Sequence, residues 1–127
     1  MNSVKKSAVI SGVVFLLSGG LQLSMAHAAE LRCRAENRNN ARSRVSVDVK
    51  NLASGQYSAT VTSGGGSASS LPKATVGDEV QVDFDSNAKD IAAGATAIAA
   101  SFISGATTAE VRNTAGALII SGACEVK

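Results

Sequence analysis

Apolar residues recur at every second position in several short stretches of this chain. In RVSVDVK, residues 44–50, Val45, Val47 and Val49 alternate with Ser46, Asp48 and Lys50. A period of two over this length predicts a strand with one buried face. Tyr57, Ala59 and Val61 then alternate with Ser58, Thr60 and Thr62. The short polar segment around Ala53 to Gly55 predicts a turn joining the two strands as a hairpin. VGDEVQVDF, residues 76–84, repeats the pattern with Val80, Val82 and Phe84 on one side and Glu79, Gln81, Asp83 and Asp85 on the other.

Two stretches are less regular. SGGGSASS, residues 63–70, is Gly/Ser-rich and followed by Leu71-Pro72, so it reads as a flexible loop within the domain. Residues 91–103 are rich in alanine, which favours helix, but Thr96, Ile98, Ala100 and Phe102 keep the period of two, which favours strand; the expectation is strand. Residues 107–126 read as two strands around Thr114-Ala115-Gly116. The sum is an all-β chain, expected as an antiparallel β-sandwich of about six or seven strands.

The decapeptide LASGQYSATV, Leu52 to Val61, resembles the hairpin of small secreted bacterial immunoglobulin-like and transthyretin-like β-sandwich modules, over roughly a tenth of the chain. The resemblance implies a protein that binds, displays or spaces other molecules rather than one that catalyses.

The first residues change what chemistry is available. Lys5 and Lys6 precede an apolar run from Ala8 to Leu17, interrupted by Ser18, Gly19 and Gly20, and Ala26 and Ala28 stand three and one positions before a cleavage site. Residues 1–28 are therefore expected to be a secretory signal peptide, the apolar run being too short to span a bilayer. The expected mature chain, 29–127, is one domain, periplasmic or secreted, with no membrane insertion after cleavage. It loses His27, and with it the sole histidine. It keeps ten basic residues (twelve less Lys5 and Lys6) against ten acidic ones, a formal charge of 10 − 10 = 0. A neutral chain with no aromatics interleaved among its arginines is not expected to bind nucleic acid.

Cys33 and Cys124 stand near the two ends of this domain. In an exported chain such a pair reads as a disulfide. With both sulfurs bonded and no histidine, the usual nucleophiles and their activators are missing, and no enzyme is expected. Asp83 and Asp85 lie on one face of a strand at a spacing an acid–base pair could use, but no aromatic platform for a sugar stands near them, and a solvated strand face is the expectation.

Three candidate surfaces remain. DFDSNAKD places Asp83, Asp85, Asn87 and Asp90 like the oxygens of a calcium loop. Ala88 and Gly94 stand where an EF-hand needs Gly and Glu, so any calcium site here would be a looser one at a strand end; the alternative is turn and cap chemistry. Arg32, Arg34, Arg38, Arg42 and Arg44 form a cationic stretch opposed in sign to Asp78, Glu79, Asp83, Asp85 and Asp90. The two stretches either pair within the molecule or offer complementary surfaces to a protein partner. The function expected is an exported non-catalytic binding or structural module. The alternatives are a calcium-stabilised extracellular domain and a secreted inhibitor or effector presenting the 63–70 segment.

Overall fold

The computed structural model describes residues 28–127; the expected signal peptide lies almost entirely outside them. The strands are β1 (Glu30–Asn37), β2 (Ser43–Lys50), β3 (Gln56–Ser63), β4 (Gly66–Ser69), β5 (Lys73–Ala74), β6 (Val80–Asp85), β7 (Thr96–Ala97), β8 (Thr107–Asn113), β9 (Leu118–Ala123) and β10 (Glu125–Val126). One short helix, α1 (Ala88–Ala92), interrupts them. They form two sheets, ordered β10-β1-β2-β6-β7 and β4-β3-β8-β9, with β5 also paired to β3. Among the described residues no helix is long and apolar enough to cross a membrane.

Parity along the strands builds the core. Val45, Val47 and Val49 of β2 meet Val80, Val82 and Phe84 of β6 in antiparallel register, and all six are buried. Tyr57, Ala59 and Val61 of β3 sit against Ala109 and Val111 of β8, also buried. Both sets belong to one apolar cluster, so each sheet turns one face toward a shared interior. Each large aliphatic side chain fully buried there contributes about 1.5–3 kcal/mol relative to exposure.

The connection between β2 and β3 corrects the expected hairpin. The two strands do not pair: β2 lies between β1 and β6 in one sheet, and β3 lies in the other. Both place an apolar face inward, and the chain satisfies both by crossing from sheet to sheet. Leu52 is buried at the crossing, Asn51 adopts φ 63°, and the Tyr57 hydroxyl donates to the Ala53 carbonyl at 2.7 Å. That bond fixes the chain where it crosses between the sheets.

Three further segments differ from expectation. The loop expected over 63–70 is largely strand: Gly64 and Gly65 form a two-residue turn, and β4 pairs back onto β3 from Ser63↔Gly66 to Thr60↔Ser69. Gly64 has φ 57°, the left-handed conformation that tight hairpins require and glycine adopts freely. Residues 91–103 are mostly neither helix nor strand; α1, two residues of β7 and irregular backbone carry the chain from one sheet to the other, anchored by buried Ile98 and Ile103. Finally, Glu30 to Asn37, read above as a run of charge around Cys33, is a strand that pairs with β2 along its whole length. The β1–β2 turn places Asn39 and Asn40 at φ 52° and 60°, a backbone asparagine tolerates better than most residues.

The expected strands at 107–126 are present, and Asn113 closes their turn by accepting from the amides of Ala115 and Ala117. The last segment then changes sheets. β9 pairs with β8, whereas β10 runs parallel to β1 with Arg34↔Glu125 and Ala35↔Val126. Cys124 lies at that crossing and is bonded to Cys33 of β1, as the cysteine count predicts.

Candidate functional site

The charged residues gather at the end of the molecule where the β1–β2 turn meets the end of β6. Arg42 precedes β2, and Asp85 closes β6 with its side chain only 2% exposed. The pair is a fork: Arg42 Nε donates to Asp85 Oδ1 at 3.0 Å and Nη2 to Oδ2 at 2.8 Å. Nη2 also donates to Asp90 Oδ2 at 2.9 Å, and Arg44 Nε stands 4.0 Å from Asp85 Oδ2. A bidentate guanidinium–carboxylate pair is the stronger geometry for such an interaction.

The Arg42 hydrogen bond, assisted by the Asn87 amide and opposed by burial, holds the Asp85 pKa below its ordinary 3.8. Arg42 is raised in turn, chiefly by its bond to Asp85. Around this pair the backbone is stitched together. Ser43 N donates to Ser86 Oγ at 3.0 Å, and Ser86 N to the Ser43 carbonyl at 3.0 Å. The buried Ser43 hydroxyl donates to the Ala100 carbonyl at 2.7 Å and accepts from Ile103 N at 3.2 Å. One cluster thus ties the first hairpin, the end of β6 and the irregular crossing segment.

Each of the four oxygen donors expected for calcium has another partner. Asp85 and Asp90 are turned toward Arg42, Asp83 accepts from Ser46 Oγ at 2.8 Å, and Asn87 caps α1 by accepting from Lys89 N at 2.9 Å. Among the described residues no group of three or more His, Cys, Asp or Glu is arranged to hold a metal. The cation in this loop is a guanidinium. Millimolar calcium and excess EDTA are therefore expected to give the same melting midpoint, within about 1 °C; a calcium-dependent rise lost in Asp83→Asn/Asp85→Asn would re-establish a ligand loop.

The five arginines separate into three environments. Arg42 is held as described, and Arg38 is exposed in the β1–β2 turn. Arg32, Arg34 and Arg44 project from the outer face of β1 and β2, where with Ser46, Asp48 and Gln81 they line a shallow cleft of about 260 Å³. Among the described residues neither Arg32 nor Arg34 makes a salt bridge. Asp48 has one buried carboxylate oxygen without a hydrogen-bond partner. The Glu79 pKa is raised above its ordinary 4.5, first by a hydrogen bond shared with the Asp48 carboxyl.

Sequence reasoning missed the buried hydroxyls. Ser43 shares the parity of Val45 to Val49, Ser63 that of Tyr57 to Val61, and Thr107 that of Ala109 and Val111, which could have placed all three inside. Thr107 Oγ1 donates to Ser63 Oγ at 2.9 Å, and Ser63 Oγ accepts from Ser104 N at 2.8 Å. No family model, curated protein or solved structure matches this chain.

Proposed function

We propose that the protein is an exported, non-catalytic interaction module, folded as a β-sandwich, that meets an anionic partner surface through Arg32, Arg34 and Arg44. The sandwich reading is supported by the shared core of the two sheets and by the crossings at Leu52 and Cys124. The Cys33–Cys124 disulfide is compatible with an oxidising compartment.

The observation that carries the functional reading is the division of labour among the arginines. Arg42 is held by Asp85 and Asp90, whereas Arg32 and Arg34 stand on a regular sheet face, opposite Asp48 and Glu125 in register but in a salt bridge with neither. The cleft they line with Arg44 holds three guanidinium groups and one carboxylate, Asp48. Guanidinium groups in a fixed array suit oxyanions that accept two parallel N–H bonds, such as carboxylate or phosphate.

The test uses the neutral formal charge of residues 29–127. With ten charges of each sign, retention on a cation-exchange support at pH 7 requires a local cationic face. The protein is expected to bind at low salt and to elute as salt rises. Arg32→Gln/Arg34→Gln/Arg44→Gln is expected to pass through unretained with its melting midpoint changed by no more than about 0.5 kcal/mol in stability, as for exposed substitutions. Equal retention of both proteins would sink the assignment of this face.

A further inference from the structure

We infer that the arginine face, provided it is the anion-binding surface proposed above, is selective: it takes isolated carboxylates on a protein partner and turns away continuous polyanions. The selecting residues are the acidic side chains around the arginines. Burial alternates along β1, with Cys33 and Ala35 inside, so Glu30, Arg32, Arg34 and Glu36 share its outer face. Glu125 of β10 stands in register with Arg34, and Asp48 of β2 with Arg32. Residues opposite one another on neighbouring strands project to the same side of a sheet, so these two carboxylates join the same face.

The clefts on this face show how the charges are distributed. The central one, of about 260 Å³, holds Arg32, Arg34 and Arg44 with Asp48. Beside it, a cleft of about 150 Å³ brings Glu30 and Lys50 to Arg32. Another, of about 70 Å³, brings Glu36 to Arg34 and Arg44. Along β1 the order is therefore acid, base, base, acid. At the rise of a strand the two arginines are about 7 Å apart and the two glutamates about 20 Å. Among the described residues Glu30, Glu36, Asp48 and Glu125 make no salt bridge, so their charges belong to the field a partner meets.

Screening decides what such a field can hold. At physiological ionic strength its range is about 8 Å. A single carboxylate seated midway between Arg32 and Arg34 stands about 10 Å along the strand from Glu30 and from Glu36, so it meets chiefly the guanidinium groups. A polymer charged every few ångströms extends past the arginines and lays its own anions on the glutamates. Like charges set against each other are how an interface rejects wrong partners. Among the described residues no aromatic side chain lines these clefts, so neither bases nor sugar rings gain stacking that would offset the repulsion. A protein surface, by contrast, can set a lysine or arginine opposite each glutamate.

The experiment measures two probes on the oxidised protein, expressed from its full coding sequence: heparin as the polyanion, and N-acetyl-aspartate amide as a single side-chain carboxylate, followed by amide shifts at Arg32, Arg34 and Ser46 at constant ionic strength. Glu36→Gln/Glu125→Gln is compared with Asp78→Asn/Glu110→Gln, which changes net charge equally but touches none of the three clefts. The first variant is expected to bind heparin roughly three- to tenfold more tightly than the second, as for two exposed charge contacts, with affinity for the aspartate probe the same within about twofold. Equal heparin affinity of the two variants overturns the inference, as does a gain for the aspartate probe as large as that for heparin. Neither result touches the assignment of the face, which fails separately if Arg32→Gln/Arg34→Gln/Arg44→Gln binds both probes as the natural protein does.

Discussion

Replacing both Cys33 and Cys124 by alanine is expected to lower stability by about 4–5 kcal/mol, the loop-closure contribution of a bond spanning 91 positions. For a domain of this size that is roughly a 16–40 °C fall in the melting midpoint. The mechanism has a local part as well. Cys124 is where the chain leaves the β9 sheet for the β1 sheet, and beyond it β10 has only two residues to hold it. The bonds from Lys127 N to the Ala35 carbonyl at 2.9 Å and from Asn37 N to the Lys127 carbonyl at 3.2 Å therefore depend on the covalent link. Amide exchange at Asn37 and Lys127 should accelerate in the variant before the core amides of Val47 and Val61 respond. Urea melts of the two proteins, compared with exchange, check both statements. A loss under about 1 kcal/mol with unchanged exchange at Asn37 would show that β10 docks without the bond.

Period two identified β2, β3 and β6 because valines and aromatics mark their inward positions, and the turn at Thr114-Ala115-Gly116 identified the β8–β9 pair. β1 escaped because its inward residues are Cys33 and Ala35, one read as disulfide chemistry and the other too small to register, between conspicuous arginines. The signal that could have found it is the turn-forming pair Asn39-Asn40. Pairing was harder than strand existence. A strand pattern states which face is buried, and both a hairpin and a sheet-to-sheet crossing satisfy that, so the segment from Asn51 to Gly55 was compatible with either. The Gly/Ser run was misread for a related reason. Composition alone suggests a flexible loop, whereas Ser67 and Ser69 only need partners on β3 to form a ladder, and Thr60 Oγ1 lies 2.7 Å from Ser69 Oγ.

For the charged cluster, opposite signs in 32–44 and 78–90 indicated that the stretches could pair, and Arg42 with Asp85 and Asp90 does so. Nothing in the sequence distinguishes Arg42 from Arg38 or Arg44. That selection depends on the turn at Asn39-Asn40, which brings Arg42 back beside the end of β6. Asp85 is likewise unexpected inside, because alternation from Phe84 assigns it to solvent. It is buried because α1 and the segment leading to Ile98 fold over the end of β6, with Ile98 N donating to the Asp85 carbonyl at 3.0 Å.

That burial makes Asp85 the side chain whose removal should be most costly after the disulfide. Asp85→Ala is expected to lose about 3 kcal/mol, at the lower end for breaking a buried pair because the Arg42 side chain keeps 29% of its exposure. This corresponds to a fall of roughly 12–24 °C. Arg42→Ala should cost less, since the Asn87 amide still donates to the carboxylate and Arg44 is near enough to approach it. Asp90→Ala should cost no more than about 0.5 kcal/mol, its side chain being 48% exposed.

The acid response carries the sign of the Asp85 shift. Its folded pKa lies below 3.8, so the charged form is favoured on folding. The resulting stability is fully present above the unfolded value and disappears as pH falls through the folded one. Denaturant melts of the natural protein and Asp85→Asn should therefore be far apart at pH 7 and draw together below pH 3.8. A gap that is constant across that window would mean the Asp85 charge contributes nothing to the cluster. An Asp90→Ala loss as large as that of Asp85→Ala would place the essential carboxylate at the rim instead.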